Sequence, residues 1–248
     1  MTQVRQQNIV GRWCPSAGAT GFRLVDRSGR GNHGVLINMN QNTSWQANDN
    51  RLALNTNNVG YVEATNPVLV NNARFTLAIW VVLNALGGSG NSGIFTVGGS
   101  GTASGPYEML YSNSNIVTFG TSGNGWCTFP SPTFGQWAHL VCVQNGTTAG
   151  SSSVFVNGIQ ITPNTNVAPS IIAFGTRTFL GLRREGTGLA NMVFDDAIFF
   201  NTALTASEVR EIYRRGRGYG IGANPHRSRR SAASATNRRR RLICGSNC

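Results

Sequence analysis

The sequence contains no lysine. All 21 basic residues are arginine, and nine acidic residues oppose them, so the formal net charge is +12. We attribute this bias to the nucleotide composition of the source genome, because a need for positive charge would rarely exclude lysine from a whole surface. The charge is also uneven: residues 217–248 hold eight arginines and no acid (+8), whereas residues 1–216 hold thirteen arginines and nine acids (+4).

Long apolar runs and a cysteine framework are missing as well, and the first residues do not have the pattern of a signal peptide. No stretch of about eighteen apolar residues occurs, which predicts that the chain has no membrane span. Residues 1–13 contain no apolar stretch long enough for the h-region of a signal peptide, so we expect synthesis in the cytoplasm without one. The cysteines, at positions 14, 127, 142, 244 and 248, are too few and too scattered for a disulfide scaffold or a paired zinc site.

Short apolar segments separated by Gly, Asn and Ser predict an all-β domain of about a dozen antiparallel strands. The segment FTLAIWVVL (75–83) alternates at first and is then fully apolar, which is typical of a central strand in a sandwich. Asn157-Gly158 separates SVFV from IQI and predicts a type I′ hairpin turn. We therefore predict one antiparallel jelly-roll β-sandwich over residues 1–216 and an Arg-rich C-terminal arm over residues 217–248.

One short helix is predicted before the arm. Thr205 and Glu208 have the spacing of a capping box, in which each side chain bonds the backbone N–H of the other residue. Apolar residues then recur at one helical face, at Val209, Ile212 and Tyr213. Gly216 predicts the end of this helix.

Four segments resemble the laminin-G-like, concanavalin A-like lectin/glucanase jelly-roll family. VDRSGRGNHGVL is similar to its early Asp-x-Ser-Gly-x-Gly-Asn-His-Gly loop, and FTLAIWVVL is similar to its central strand. QWAHLVCVQ and SVFVNGIQI resemble its Trp-x-His strand and Asn-Gly hairpin, and FDDAIFFNTALTASEVREIY resembles its closing strand and helix. The likeness covers residues 9–216 in order and implies a jelly-roll sandwich closed by a helix.

The resemblance also implies a structural Ca²⁺, which many relatives hold between the early loop and the closing strand. Asp26, Asn32 and Asp195 stand at those positions and offer oxygen ligands of the kind that a hard cation takes. The alternative, which we favour, is that Asp26 and Asn32 form hydrogen bonds within their own loop and that Asp195 bonds backbone or arginine at a sheet end. No cofactor is required in that case.

The acidic residues argue against catalysis. A glycoside hydrolase needs two carboxylates about 5 to 9 Å apart beside the sugar bond, and related hydrolases carry a Glu-x-Asp-x-x-Glu strand that this chain lacks. Asp195 and Asp196 are adjacent, but strand alternation predicts that they point to opposite faces. The three histidines lie in no recognisable nucleophile motif. We therefore expect that the protein is not an enzyme, and we keep a glycoside hydrolase as an alternative.

Glycan binding is the most frequent non-enzymatic use of this family. Sugars are gripped by exposed aromatic faces beside polar donors and acceptors, and we place four candidate aromatic residues in loops: Trp45, Tyr107, Tyr111 and Trp126. The alternative for each of them is a hydrophobic plug over one end of the sandwich.

The C-terminal arm has the composition of a solvated, disordered segment. Its charges can instead clamp an acidic protein surface, or bind nucleic acid through phosphates without reading sequence. The candidate anchoring residues are Arg227, Arg229, Arg230, Arg238, Arg239, Arg240 and Arg241. We predict a virion or phage surface protein, of decoration or fibre type, that uses its jelly roll for adhesion or glycan binding and its arm for anchoring to other protein subunits. A free lectin-like protein is the alternative.

Overall fold

The structure is a computed structural model that describes residues 6–65, 74–86, 90–99, 107–121, 124–167, 176–184 and 187–218. Two 3₁₀ turns, Gln6–Asn8 and Pro15–Ala17, flank the first strand. The described strands are β1 (Ile9–Trp13), β2 (Arg23–Leu24), β3 (Gly34–Ile37), β4 (Trp45–Asn48), β5 (Arg51–Asn55), β6 (Tyr61–Thr65), β7 (Arg74–Leu83), β8 (Asn91–Gly99), β9 (Tyr107–Ser112), β10 (Ile116–Thr121), β11 (Asn124–Pro130), β12 (Trp137–Asn145), β13 (Ser152–Val156), β14 (Ile159–Ile161), β15 (Thr165–Asn166), β16 (Arg177–Leu180), β17 (Leu182–Arg184), β18 (Thr187–Leu189) and β19 (Met192–Phe200).

The strands form two large antiparallel sheets, which confirms the predicted all-β jelly-roll sandwich. The eight-stranded sheet has the order β14-β13-β12-β7-β19-β5-β4, and β1 pairs with β19. The nine-stranded sheet has the order β15-β11-β10-β9-β8-β16-β6-β3-β2. Strands β17 and β18 form a separate hairpin. No described helix is long and apolar enough to cross a membrane.

The core lies between the two sheets because successive side chains of a strand face opposite sides. Phe75, the second residue of β7, is fully buried at its centre. Its ring meets Tyr107 and Phe119 of the nine-stranded sheet edge-on, at centroid distances of 4.5 and 6.1 Å. Phe199 of the closing strand packs on the same ring at 6.2 Å. Such T-shaped pairs are a favoured aromatic geometry and add to the free energy gained by burial.

The predicted helix is present as α1 (Ala206–Arg215). Thr205 and Glu208 form the predicted capping box, and Gly216 ends the helix with a φ of 79°. Tyr213 stacks on Trp80 of β7 with ring centroids 5.6 Å apart. A Cβ added to Gly158, in the predicted Asn157-Gly158 turn, would lie 2.9 Å from the Tyr213 ring. Glycine at this turn therefore provides both the positive φ and the space that the helix needs.

The compact unit of the sandwich extends to Gly218. The Arg217 guanidinium carbon lies 4.0 Å from the centroid of the Trp137 ring, and its Nη2 donates to the Asn48 carbonyl at 2.6 Å. Asp196 accepts a hydrogen bond from the backbone of Gly218. The first two residues of the predicted arm are thus bound to the sandwich. Its remaining residues, 219–248, lie outside the described part of the chain.

The buried side chain of His139 should make the free energy of unfolding depend on pH in the acidic range. Its ring is buried beside Trp80 at 5.0 Å, its Nδ1 has no hydrogen-bond partner, and burial lowers its pKa to about 3. Between about pH 6.5 and pH 3 the unfolded chain binds a proton that the folded chain does not. The free energy of unfolding should therefore fall as the pH falls, by at most about 1.4 kcal/mol per pH unit from this group.

Urea denaturation at pH 4, 5, 6 and 7 tests this expectation. A His139→Gln variant removes the titrating group and should show a flatter pH dependence than the parent across this range. Parallel pH curves for the two proteins would show that His139 does not contribute.

Candidate functional site

The outer face of the nine-stranded sheet carries a row of residues that the strand register aligns. Core-facing residues alternate with them, so each member points away from the sandwich interior. Hydrogen-bonded pairing connects the row across eight strands, from β11 to β2. We call this set the outer row, and its members are Trp126, Gly120, Glu108, Thr96, Phe179, Glu63, Val35 and Arg23.

The hairpin formed by β17 and β18 lies against the middle of the outer row. Thr96 donates its hydroxyl hydrogen to the carbonyls of Leu182 and Arg183, at 2.9 and 3.0 Å. A Cβ added to Gly93 of β8 would lie 2.2 Å from the Arg183 nitrogen and 2.3 Å from the Leu182 oxygen. Strand β17 therefore approaches β8 closely because position 93 is glycine.

This close approach brings two charged side chains together. The Nε atom of Arg183 lies 3.7 Å from the Glu108 carboxylate, which has no exposed surface. Further along the row, where β16 pairs with β6, Arg177 Nε lies 3.3 Å from the Glu63 carboxylate. Both of these side chains are partly exposed. The Glu108–Arg183 pair is therefore covered by the hairpin, and only the Glu63–Arg177 pair is partly open to solvent.

An aromatic side chain with neighbouring hydroxyls stands at the β11 end of the row. Trp126 is half-buried. Its carbonyl accepts a hydrogen bond from the Thr165 hydroxyl at 3.2 Å, and the hydroxyls of Thr128 and Thr165 are 2.8 Å apart. A part-exposed indole beside such hydroxyls can pack on the apolar face of a sugar ring while the polar groups bind its hydroxyls.

The loop placement was wrong for all four candidate aromatics, which lie in strands β4, β9 and β11, and three of them are buried. Tyr107 and Tyr111 are 1% and 0% exposed, because both point inward from β9 into the core. Tyr111 donates its hydroxyl hydrogen to the Asn191 carbonyl at 3.0 Å. Trp45 begins β4, is 9% exposed, and donates its indole N–H to the Gly21 carbonyl at 3.0 Å. These rings have no free face for a sugar, and Trp126 alone of the four keeps a partly exposed ring.

The loop between β2 and β3, which holds Asp26 and Asn32, is stabilised by hydrogen bonds rather than arranged for a cation. Asp26 Oδ1 accepts from the backbone N–H groups of Arg12 and Ser28, both at 2.8 Å. Asp26 Oδ2 accepts from the Ser28 hydroxyl at 2.7 Å and from the Asn32 N–H at 2.9 Å. Asn32 in turn donates its side-chain amide to the Val10 carbonyl at 2.7 Å. Four donors occupy the Asp26 carboxylate, so these residues do not fit a calcium site.

Asp195 and Asp196 face the same segment, which corrects the expectation of opposite faces. Asp196 lies in a bulge of β19 and has a φ of 45°. Its carboxylate forms a buried ion pair with Arg12 at 2.8 Å. Asp195 accepts the backbone N–H of Ser16 at 3.2 Å, and burial followed by the charge of Asp196 raises its pKa. Among the described residues, no group of three His, Cys, Asp or Glu side chains is arranged for a metal, so Asp26 and Asp195 belong to no such group.

Burial also determines the protonation state of the Cys14 thiol, which lies between Arg12 and Ser16 in the sequence. It raises the pKa of the Cys14 thiol to about 12, and the charges of Asp196 and Asp195 act in the same direction. The thiol is therefore protonated at neutral pH and is a poor nucleophile. The predicted anchoring arginines lie outside the described residues: Arg227, Arg229, Arg230, Arg238, Arg239, Arg240 and Arg241.

Sequence reasoning missed the charged residues of the outer row. Alternation in YEMLYS puts Glu108 on the face opposite Tyr107 and Tyr111, so the burial of both tyrosines and the outward direction of Glu108 were readable from this pattern. The contact between Glu108 and Arg183 was not readable, because it depends on the pairing of strands far apart in sequence.

Two packed antiparallel sheets with a capped terminal helix define a lectin-like jelly-roll β-sandwich. The family model described as the concanavalin A-like lectin/glucanases superfamily, Laminin_G_3, matches residues 54–210, which is more than half of the chain. The chain therefore belongs to this superfamily, as the sequence resemblance predicted. A comparison with curated proteins finds no match.

Several solved structures share the fold. Trypanosoma rangeli sialidase in complex with sialic acid has a TM-score of 0.64 at 17% identity, over 90% of this chain and 35% of the sialidase. This chain thus spans about a third of that enzyme. Domain 4 of AbnA, a GH43 extracellular arabinanase from Geobacillus stearothermophilus, in complex with arabinotriose has a TM-score of 0.61 at 16% identity, over 83% of this chain and 98% of that domain. Botulinum neurotoxin type C, whose interaction with two ganglioside molecules is described, has a TM-score of 0.63 at 15% identity, over 84% of this chain and 51% of the toxin chain.

Proposed function

We propose that the protein is a non-catalytic carbohydrate-binding module and that the β11 end of the outer row, around Trp126, is its binding surface. The observation that carries this proposal is the half-buried Trp126, which stands beside the hydroxyls of Thr128 and Thr165. Support comes from the arabinanase domain, because nearly the whole of that domain matches this chain and it is in complex with arabinotriose.

The spacing of the outer-row carboxylates supports a binding role rather than hydrolysis. Glu63 and Glu108 share the row but are separated by Phe179 and Thr96, which is three strand spacings. At about 4.8 Å per spacing their backbones lie about 14 Å apart. Glycoside hydrolases hold their two carboxyl groups about 5 to 9.5 Å apart. Asp195 and Asp196 are buried and lie against Arg12 and Ser16, so they do not flank a substrate either.

A place in a virion or phage particle, as a decoration or fibre protein, stays a prediction. It depends on the arm, whose residues 219–248 lie outside the described part of the chain. The jelly roll would supply the adhesive face, and the arm would bind other protein subunits. A free lectin-like protein would use the same face and would not need the arm.

Replacing Trp126 by alanine should weaken glycan binding by about 30-fold, the effect expected for loss of a central aromatic contact worth about 2 kcal/mol. A printed array of neutral oligosaccharides finds the ligand, and titration calorimetry with the strongest hit and with arabinotriose gives the affinities. Trp137→Ala is the matched control, because Trp137 is also half-buried but lies in the eight-stranded sheet. Equal affinity of the parent and the Trp126→Ala protein, with both folded by circular dichroism, would refute the assigned surface.

A further inference from the structure

The side chain of Arg217 lies in a pocket on the outer face of the eight-stranded sheet. We call it the Arg217 pocket, and it is formed by Trp137, Asn48, Asp49 and Asp195. Arg217 is 9% exposed, although it follows the last helix of the sandwich. An arginine is seldom buried to this extent unless specific contacts hold its charge. The burial of Arg217 therefore indicates a pocket that recognises a guanidinium group.

Trp137 forms the floor of the pocket, and its orientation is fixed. The ring packs against a small cluster that includes Val82, which points away from the main core because its neighbours in β7 point into it. The indole N–H donates to Asn48 Oδ1 at 2.7 Å. Tryptophan is also the aromatic residue that attracts a cation most strongly. The ring is thus held in place by contacts that do not involve Arg217.

Oxygen atoms at the turn between β4 and β5 face one edge of the guanidinium. Arg217 Nη2 donates to the Asn48 carbonyl at 2.6 Å and lies 3.8 Å from the Asp49 carboxylate. A flat ring below and acceptors at the side suit a planar cation whose N–H donors form a rigid fork. A lysine ammonium has neither the plane nor the fork. We therefore expect the pocket to prefer arginine to lysine.

Arg217 does not satisfy the whole pocket. Its Nη1 and the Oδ2 of Asp195 are both buried, and neither atom has a hydrogen-bond partner among the residues that the structure describes. Asp195 has no exposed surface. Burial lowers the pKa of Arg217, and the negative charge of Asp195 is the strongest influence in the opposite direction. A donor and an acceptor of opposite charge thus remain unmatched, and an unmatched buried polar group costs free energy.

The backbone around Arg217 is bound at a separate place, which restricts its side chain. The Arg217 carbonyl accepts a hydrogen bond from Arg51, and the N–H of Gly218 donates to Asp196. Gly216 and Gly218 flank Arg217 with φ values of 79° and 72°. Glycine on both sides allows this segment to swing away from the sandwich. An arginine side chain that enters without the tether is free to match both the Asn48 carbonyl and the second acceptor.

We propose that the Arg217 pocket is a binding site for the arginine side chain of a peptide, and that Arg217 is the internal ligand that such a side chain displaces. The pocket lies on the sheet opposite Trp126, so this proposal does not depend on the glycan site. The formal net charge of the chain is +12, so overall electrostatics repel a cationic peptide and its binding requires local contacts. A tethered ligand competes at an effective concentration of the order of millimolar, so Arg217 should mask the site in the parent.

The test uses the full-length protein and two blocked tripeptides, acetyl-Gly-Arg-Gly-amide, which repeats residues 216–218, and acetyl-Gly-Lys-Gly-amide. Arg217→Ala opens the pocket, and Arg217→Ala/Trp137→Leu removes its floor as well. Arg215→Ala is the matched control, because it removes one partly exposed arginine and changes the net charge equally. Thermal melting at increasing peptide concentration measures binding, and circular dichroism verifies that each variant is folded.

At ten times its dissociation constant, the arginine tripeptide should raise the melting temperature of the Arg217→Ala protein by about 3–5 °C. The parent and the Arg215→Ala protein should bind it at least about tenfold more weakly, because Arg217 occupies the pocket. The lysine tripeptide should bind the Arg217→Ala protein at least about tenfold more weakly, and the double variant should bind neither peptide. No binding to the Arg217→Ala protein, equal binding of the two peptides, or binding that survives the loss of Trp137 would overturn the proposal.

Displacement in the parent protein is a second measurement that needs no variant. The Trp137 ring lies 4.0 Å from the guanidinium carbon, so its ring current should shift the NMR resonances of the Arg217 side chain. An excess of the arginine tripeptide should move these resonances toward the values of an exposed arginine. Resonances that stay in place would show that Arg217 is a fixed structural residue rather than an exchangeable ligand. Trp126→Ala should change neither measurement, so the two binding proposals can fail separately.

Discussion

Replacing Arg12 with alanine should lower the free energy of unfolding by about 3–5 kcal/mol, the cost of leaving a buried charge without its partner. Arg12 is 8% exposed and forms two contacts of 2.8 Å with Asp196, one from Nε and one from Nη2. Asp196 is 4% exposed, so its carboxylate is left buried without the guanidinium. Urea denaturation at pH 7 measures the change.

Two further variants separate the charge effect from a loss of packing. Arg215→Ala removes the i,i+4 pair with Glu211, which is partly exposed, and should cost at most about 0.5 kcal/mol. Arg12→Met/Asp196→Asn removes both charges while asparagine keeps the positive φ at position 196, and should recover much of the stability lost by the single change. A double variant no more stable than Arg12→Ala would show that the ion pair is not the cause.

Replacing Gly93 with alanine should destabilise the protein by about 3 kcal/mol, near the upper range for overpacking. The added Cβ would lie 2.2 Å from the Arg183 nitrogen and from the Leu182 carbonyl carbon. These are backbone atoms, so no side-chain rotation relieves the clash. Strand β17 must move away from β8, and the hydrogen bonds from Thr96 to β17 are then lost.

The movement of β17 in the Gly93→Ala protein should also be detectable locally, by hydrogen exchange. Hydrogen exchange should accelerate in the hairpin of β17 and β18 while the amides of helix α1 keep their protection. Gly29→Ala is the control, because a Cβ there meets nothing within 4 Å and the positive φ alone costs about 1 kcal/mol. A Gly93→Ala protein with parental exchange in the hairpin would contradict the close approach. Loss of glycan binding in that variant would also connect the position of Arg183 with the outer row.

The residues of the proposed binding surface were predicted only in part. Trp126 was named as a candidate because its Gly- and Asn-rich surroundings were assigned to a loop, whereas the structure places it in β11 with a half-buried side chain. The prediction that Tyr107 and Tyr111 bind a ligand was wrong because we assigned them to loops. The alternation of YEMLYS points both rings inward, and the structure buries them in the core. The pairs Glu108 with Arg183 and Glu63 with Arg177 join residues distant in sequence, so no local pattern indicated them.

The sequence by itself determined the class of fold, the capped helix and the Asn157-Gly158 turn, because alternation, capping and turn chemistry act between residues close together in the chain. Tertiary structure alone decided which polar residues share the outer row, that β17 approaches Gly93, and that a bulge turns Asp195 and Asp196 toward one segment. These features depend on the register between distant strands. A shift of one residue exchanges the two faces of a strand, and the packing of the whole core selects the register.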